Sequence, residues 1–514
     1  MDIWGRSYSY LAAIITGVLL VLSIPKIDLS FLAWVSLSPL IYIAIKKPPL
    51  TSWWAGVVAG VVFNSGCLYW IAPVLHSYGK LPLIVSWLIA LVLVLYLSLY
   101  FALFSFLLSK LTNTLGARLL FIAPFLWVSL EYAKTYLLTG FPWELLGYSQ
   151  YRNLPLIQIS SFTGVYGVSF LIVLVNCLIV WWVVDGLKGR FSLGMTTLCG
   201  IMLASTLIYG YWRLSQPFPR QEGVRVACIQ GNVSQDKKMN SQYLEEIFLD
   251  HFLMTREAAS RGNRLIVWSE SAVPLSFTRS PSYQEAVREL VSSQNIHLLL
   301  GSVHISPSSP SSPERYFNSA FLLTPRGEVA GKYDKIHLVP FGEYVPLRRF
   351  FFFAGKLVQE ASDFSPGESY TLLNYNSHPI GVAICYEIIF PQLMRAFTSR
   401  GAELIATITN DAWFGRSSAP YQHFSMAVFR AVENRRYVVR AANTGISGII
   451  DPFGRVLNSS PIFVKTIVEG IVYPLKVTTF YLRYGDLLCW LSILLTVIAF
   501  FPLIKRGKTR FTCG

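Results

Sequence analysis

Several short stretches of this chain end an apolar run on a side chain that can do chemistry. Leu265-Ile-Val-Trp268 runs into Ser269, Glu270 and Ser271, and Ile380-Gly-Val-Ala-Ile384 runs into Cys385, Tyr386 and Glu387. Leu404-Ile-Ala-Thr-Ile-Thr409 runs into Asn410 and Asp411, while Gly331-Lys-Tyr-Asp-Lys-Ile-His337 carries Lys332, Lys335 and His337. A cysteine nucleophile needs a base to take its proton and a positive group to hold the oxyanion of a tetrahedral intermediate. Cys385 is the candidate nucleophile, Glu270 the candidate base and Lys335 the candidate cation, with His337 a rival base through a Cys–His pair. Taken singly, each has a blander reading: a cysteine in an apolar strand is ordinarily inert core, and a glutamate or lysine is ordinarily solvated. Their shared setting argues for chemistry, because strand ends along one sheet edge converge and bring together residues distant in sequence.

The elements that would position these residues are short β-branched runs alternating with amphipathic helices. Strands are predicted over 224–229, 265–268 and 297–303, and a helix over 241–260 with Leu244, Ile247, Phe248 and Phe252 on one face. Ser282 and Glu285 read as a capping box opening the next helix. The Ser/Pro-rich stretch 306–313 reads as a surface excursion, and Pro325-Arg-Gly-Glu328 and Asp451-Pro-Phe-Gly454 read as turns between paired strands. This alternation suggests a mixed α/β domain with more than one sheet.

Around this domain the composition changes. The 514 residues are 53% hydrophobic and only 14% charged, against about 25% charged in a soluble protein, which points to a bilayer as solvent. About eight apolar runs are long enough for spans: 8–24, 29–45, 52–75, 82–109, 117–137, 160–184, 193–212 and 484–504. Lys and Arg bias orients them with the N-terminus in the cytoplasm. The inside loops hold Arg6, Lys46, Lys47, Lys110, Arg118, Lys188 and Arg190, and the tail Lys505, Arg506, Lys508 and Arg510. The outside loops hold fewer: Lys26, Lys80, Lys134, Arg152 and Arg213. The expected organisation is transmembrane helices 1–7 over 1–212, an extracytoplasmic domain over 213–483, and transmembrane helix 8 with a cytoplasmic tail over 484–514. The net charge of +15 flanks the apolar runs and forms no basic stripe with interleaved aromatics, so nucleic acid is not an expected partner. The seven cysteines and seven histidines show no CxxC, CxH or HExxH spacing, so neither a metal nor a disulfide framework is expected.

The segments around Glu270, Lys335 and Cys385 resemble the Glu–Lys–Cys motifs of the nitrilase superfamily. That resemblance implies an αββα sandwich, acyl transfer through a thioester, and no cofactor. The stretches Lys335-Ile-His-Leu-Val-Pro-Phe-Gly-Glu-Tyr-Val-Pro346 and Thr409-Asn-Asp-Ala-Trp-Phe-Gly415, with the spans, are similar to those of the membrane-embedded apolipoprotein N-acyltransferases of bacteria. The resemblance implies a catalytic domain on the periplasmic side of the inner membrane. It also implies an acyl chain taken from the sn-1 position of a phospholipid, typically phosphatidylethanolamine, and given to the α-amine of a diacylglyceryl-cysteine at an apolipoprotein N-terminus. Under it Glu270 is general base, Lys335 oxyanion stabiliser and Cys385 nucleophile; Glu343 orients Lys335, and Tyr386 and Glu387 shape the pocket and the amine's approach. Many relatives carry tryptophan near the position of Met239, a departure that leaves the triad untouched.

Contacts to substrate are harder to place. Trp143, in the aromatic outside loop 138–159, reads first as an interfacial belt residue and second as the wall of a lipid-facing site; Asn410 and Trp413 are further candidates. The segment 345–358, with Phe350 to Phe353 beside Arg348, Arg349 and Lys356, suits an interfacial arm better than a buried aromatic cluster. A tethered amidase would need only one or two anchors, and a transporter would carry charges in mid-span, where Glu131 is the main exception.

Overall fold

The computed structural model describes residues 3–186, 190–217, 222–306, 314–344 and 364–510. The chain divides into two compact units. One comprises Met1–Pro73, Pro82–Gln216 and Tyr484–Gly514; the other comprises Pro217–Arg483 together with Val74–Leu81.

In the second unit, strands form wherever β-branched and aliphatic runs are bounded by turn residues. The first sheet holds β1 (Val224–Gln230), β2 (Leu265–Trp268), β3 (His297–Ser306), β4 (Arg315–Leu323), β5 (Val329–Asp334) and β12 (Thr466–Val472), in the order β12-β1-β2-β3-β4-β5. The second holds β6 (Leu373–Tyr375), β7 (His378–Ile384), β8 (Leu404–Thr409), β9 (Val438–Ala442), β10 (Gly448–Ile450) and β11 (Val456–Ser459), in the order β11-β10-β9-β8-β7-β6. In each sheet the central strands run parallel, β1-β2-β3 and β7-β8-β9, and the outer ones antiparallel. Gly327 and Gly454 take positive φ of 76° and 85° in the two expected hairpin turns, which a Cβ would strain.

Helices cover the outer face of each sheet. Ile247, Met254 and Ala258 of helix Leu244–Ser260, and Val287 and Leu290 of helix Pro281–Gln294, pack on Ile229, Ile266, Trp268 and Leu298. Phe397 of helix Pro391–Ser399 lies over Gly381 of β7, and Phe424 of helix Ala419–Asn434 lies over Gly448 of β10. The inner faces meet closely: a Cβ on Gly301 of β3 would sit 2.9 Å from Ile408 Cδ1 of β8. The layers are therefore helix, sheet, sheet, helix, as the nitrilase resemblance implies. One local expectation fails. The helix at 281 has Ser280, not Ser282, at its cap, without a side-chain cap bond; Pro281, with preset φ and no N–H, already suits the first helical position.

The first unit is helical. Among the described residues, Leu83–Thr112, Val165–Val184 and Leu193–Ser215 are long and apolar enough to cross a membrane, and Pro49–Leu68 with Ile71–Ser77, bent by 49°, makes a fourth if taken as one span. Among the described residues that measure gives three or four spans, not the expected eight or so: the apolar helices Ser7–Ser23, Ser30–Lys46 and Leu487–Phe501 are shorter than a span, and other runs are interrupted. The 29–45 run divides into pieces ending at Ser36 and restarting at Ser38. There Asn176 Oδ1 accepts from Leu37 N at 2.8 Å and Ser38 N at 2.9 Å, while its Nδ2 donates to Ala33 O at 3.0 Å. A side chain thus satisfies the backbone groups that the break frees, as an apolar surrounding demands. The 117–137 run begins as a 3-10 turn and becomes helix only at Ala123, next to Pro124. Helices Pro49–Leu68 and Leu83–Leu115 approach closely because Gly56 and Gly60 face Ala102 and Ser98. The expected arm at 345–358 and nearly all of the 306–313 excursion lie outside the described residues.

Candidate active site

Cys385 stands where β7 turns into a 3-10 helix, and its φ is 53°. A non-glycine residue in this region is strained and must be held there by its surroundings. Two sets of bonds hold it. Glu387, fully buried, accepts from Ile384 N at 2.8 Å with one oxygen; with the other it accepts from Tyr333 Oη at 2.7 Å, Ile336 N at 2.8 Å and His337 N at 3.1 Å. It thereby ties the cysteine turn to the lysine segment. On the other side, His423 Nε2 lies 3.1 Å from Cys385 O. A carbonyl only accepts, so Nε2 carries the proton. Burial and the Arg440 charge lower the ring's pKa, keeping it neutral, and Nδ1 can then accept from Arg440 Nη2 at 3.1 Å. Arg440 also pairs with Asp411 at 2.9 Å, overcoming burial to hold that carboxyl at about 2.

Glu270 follows β2, and β2 stands beside β3 in the sheet whose inner face meets β8. Its Oε1 accepts from Asn318 Nδ2 at 2.8 Å and its Oε2 from Asn410 N at 2.9 Å, so each sheet fixes one oxygen. Lys335 is 1% exposed, with Nζ 2.9 Å and 2.8 Å from the two oxygens of Glu343 and 3.9 Å from Glu270 Oε1. Glu343 also accepts from Asn318 Nδ2 and Val339 N, each at 2.8 Å. Burial works against the Lys335 charge, but Glu343, Glu270 and Cys385 outweigh it and raise its pKa. Burial pushes the Cys385 thiol up, the Glu270 charge adds to that, and Lys335 pulls it back. A resting thiol therefore keeps its proton, and attack needs a base acting in the same step. A fixed ammonium, a fixed carboxylate and a strained thiol at converging strand ends can support acyl transfer.

Known proteins resemble this chain over most of its length. A family model described as "Apolipoprotein N-acyltransferase N-terminal domain" matches residues 16–178, and one described as "Carbon-nitrogen hydrolase" matches residues 225–472. An apolipoprotein N-acyltransferase from Geobacter metallireducens is 44% identical over 494 residues, covering 94% of this chain and 93% of its own. The chain belongs to the apolipoprotein N-acyltransferase family. A second relative of that name, from Pseudomonas aeruginosa, is 33% identical over 515 residues, covering 94% and 95% of the two chains. The solved structure of Saccharomyces cerevisiae Nit3, described as a member of branch 10 of the nitrilase superfamily, covers 51% of this chain and 93% of its own at 20% identity, with a TM-score of 0.39.

In this member of the apolipoprotein N-acyltransferase family, the other residues singled out from sequence fall into different places. The rival base His337 packs its ring 3.9 Å from that of Phe390 and 5.8 Å from that of Tyr386. Asn410 is engaged internally, donating to Gln235 Oε1 at 3.0 Å and accepting from Asn443 Nδ2 at 2.9 Å. Trp413 packs edge-on against Tyr78 at 4.9 Å, and Tyr78 belongs to the stretch between the expected spans 52–75 and 82–109. Trp143 is buried in the first unit, stacked on Phe141 at 6.0 Å and packed against Trp70 at 5.3 Å, not exposed as a belt residue would be. Met239 is 48% exposed at the end of a short helix. Sequence reasoning missed Asn318, Tyr333, Lys238, His423 and Arg440. Buried Lys238 donates to Glu270 O at 3.3 Å and Ser271 O at 2.9 Å, and burial lowers its pKa to about 8. Only the apolar setting of Arg440, in the run Val438-Val-Arg-Ala-Ala442, was a visible signal: a charge there is rarely buried unless paired.

Proposed function

We propose that this membrane protein transfers an acyl chain from a phospholipid, through a thioester on Cys385, to the α-amine of a diacylglyceryl-cysteine at an apolipoprotein N-terminus. The observation that carries the reading is Lys335, buried and held between Glu343 and Glu270 beside the strained Cys385 turn. In the first half-reaction Cys385 Sγ attacks the sn-1 ester carbonyl while Glu270 takes the thiol proton, and Lys335 holds the oxyanion. Collapse breaks the ester C–O bond; the lysophospholipid oxygen takes the proton back from Glu270 and leaves the thioester. In the second half the amine nitrogen attacks that thioester, its proton passes by way of Glu270 to the departing sulfur, and an amide forms. Glu343 fixes Lys335, Glu387 fixes the Cys385 turn, and Tyr386 lies next to the nucleophile. Phosphatidylethanolamine is the donor proposed, and no cofactor enters either half.

The proposed setting is the bacterial inner membrane, with 213–483 on the periplasmic side and 1–212 and 484–514 anchoring it, the shorter apolar helices completing the bundle. Incubating the purified protein with phospholipid and no acceptor tests the reading. A hydroxylamine-labile acyl adduct on Cys385 is expected by intact mass, absent in Cys385→Ala and in folded Glu270→Gln. No adduct, or one that survives Cys385→Ala, overturns it.

A further inference from the structure

The first unit holds a second buried set of two glutamates and a lysine, and it borders a cavity. Glu131, Lys134 and Glu144 line that cavity, and Phe63, Tyr100, Phe101 and Trp127 form its aromatic wall. Lys134 Nζ donates to Trp143 O at 3.0 Å, and Glu131 Oε1 accepts from Leu146 N at 2.7 Å. Glu144 is different. It is 3% exposed, and neither of its carboxylate oxygens has a hydrogen-bond partner among the described residues. With two carboxylates against one ammonium on the lining, one negative charge lacks its counter-charge. A buried carboxylate with neither donor nor counter-ion is strongly disfavoured, and it is relieved either by taking a proton or by meeting a cation.

The walls favour the cation. Aromatic faces attract alkylammonium groups through their quadrupoles, and aromatic rings beside carboxylates recognise an organic ammonium better than a hydrated metal ion. The remaining wall is Asn64, whose Nδ2 donates to Gly60 O at 2.8 Å, and the aliphatic Leu20, Leu97, Leu130 and Leu146, which suit an apolar body behind the charge. We propose that this cavity binds the ammonium head of a lipid, with Glu144 as its counter-ion and the aromatic wall around it. Two sources fit that chemistry: the head group of an aminophospholipid, and the α-ammonium of a lipidated peptide N-terminus. Naming these two sources rests on the acyl-transfer reading; the ammonium site does not.

Native mass spectrometry of the full-length protein released from detergent micelles tests the site. Phosphatidylethanolamine and phosphatidylglycerol with identical chains are offered together, and in a second arm a diacylglyceryl-cysteinyl peptide is offered with its N-acetylated form. Wild type is expected to retain the ammonium-bearing member of at least one pair about tenfold better, and the arm that shows the preference identifies the source. Glu144→Gln, which keeps size and removes charge, is expected to reduce the ratio to parity, while Cys385→Ala keeps it. Dodecyltrimethylammonium should displace the retained lipid from wild type and dodecyl maltoside should not, a measurement that needs no variant. Absence of preference in both arms, failure of the cation to compete, or an unchanged preference in Glu144→Gln means that Glu144 is merely protonated, and overturns the proposal. A preference shown by wild-type protein that forms no Cys385 adduct with phospholipid overturns the acyl-transfer reading and leaves the ammonium site standing.

Discussion

Glu270, Lys335 and Glu343 in the second unit and Glu131, Lys134 and Glu144 in the first are the same three side chains buried in two ways. Around Lys335, all four carboxylate oxygens have partners: Asn318 and the Asn410 N–H for Glu270, and Asn318, Val339 N–H and the lysine itself for Glu343. Around Lys134, the ammonium goes to a main-chain carbonyl and, among the described residues, both oxygens of Glu144 go without a donor. The difference separates two uses of buried charge. A fully partnered set holds an ammonium still, so that charge developing in a reaction meets a fixed field. A set with an orphaned acceptor has binding capacity left over.

The largest effect expected from breaking this contrast is at Lys335. Lys335→Met should slow acylation of Cys385 by about a thousandfold, as loss of an oxyanion donor does. It should also destabilise the protein by about 3–5 kcal/mol, because Glu343 is left buried and unpaired. Lys335→Met with Glu343→Leu should recover most of the thermal stability and none of the acylation, measured by melting and by intact-mass time courses; recovery of acylation would make the lysine purely structural.

The next test sharpens the contrast with an orphan in the second unit. His251 is fully buried, its Nε2 has no hydrogen-bond partner among the described residues, and burial lowers its pKa to about 4. The unfolded chain, with an ordinary histidine near 6.5, binds more protons between those values, so stability present above pH 6.5 is lost as pH falls toward 4. The loss is about 3 kcal/mol. Melting temperature followed over that range should fall in wild type and flatten in His251→Leu; equal slopes would show that the histidine is not the group responsible.

Smaller changes are expected where the active site is held from behind. His423→Leu removes the N–H on Cys385 O and should slow acylation about a hundredfold through misplacement of the thiol, with KM little changed. His423→Gln, which can still donate, should recover part of it. Lys238→Met removes the donors to Glu270 O and Ser271 O and should slow acylation by about tenfold. If either variant changes melting alone, its bonds support the fold without positioning the reacting groups.

Much of the second unit was legible in advance. The runs ending at Glu270 and Cys385 are strands, the hairpin turns carry glycines at positive φ, and the helix expected from 241 starts at Leu244 after a 3-10 turn, with Ile247 of the expected face buried and Phe248 and Phe252 partly buried against the core. These features follow from period, turn chemistry and burial within a few residues. The first unit was less legible because hydropathy counts apolar length and not backbone continuity. A break at Ser36–Ser38 is tolerated only because Asn176, far along the chain, supplies its hydrogen bonds. The stretch 76–81 lies between the expected spans 52–75 and 82–109, and nothing local marks the grouping of Val74–Leu81 with the second unit or the Tyr78–Trp413 contact, which are non-local.

Chemical type and the apolar runs before them single out Glu270 and Cys385 as candidates from the chain alone, and Lys335 stands out by its charge in Gly331-Lys-Tyr-Asp-Lys-Ile-His337. How these residues are held follows from folding. Asn318 bridges two carboxylates, Glu387 joins two loops, and His423 reaches the main chain of Cys385 across 38 positions. A side chain's reactivity is written in its own atoms, but whether its charge is partnered depends on neighbours that folding alone brings near. Glu131 and Glu270 share one side chain, but folding makes Glu270 part of a fully partnered set and leaves Glu144, on the same cavity as Glu131, without a donor among the described residues.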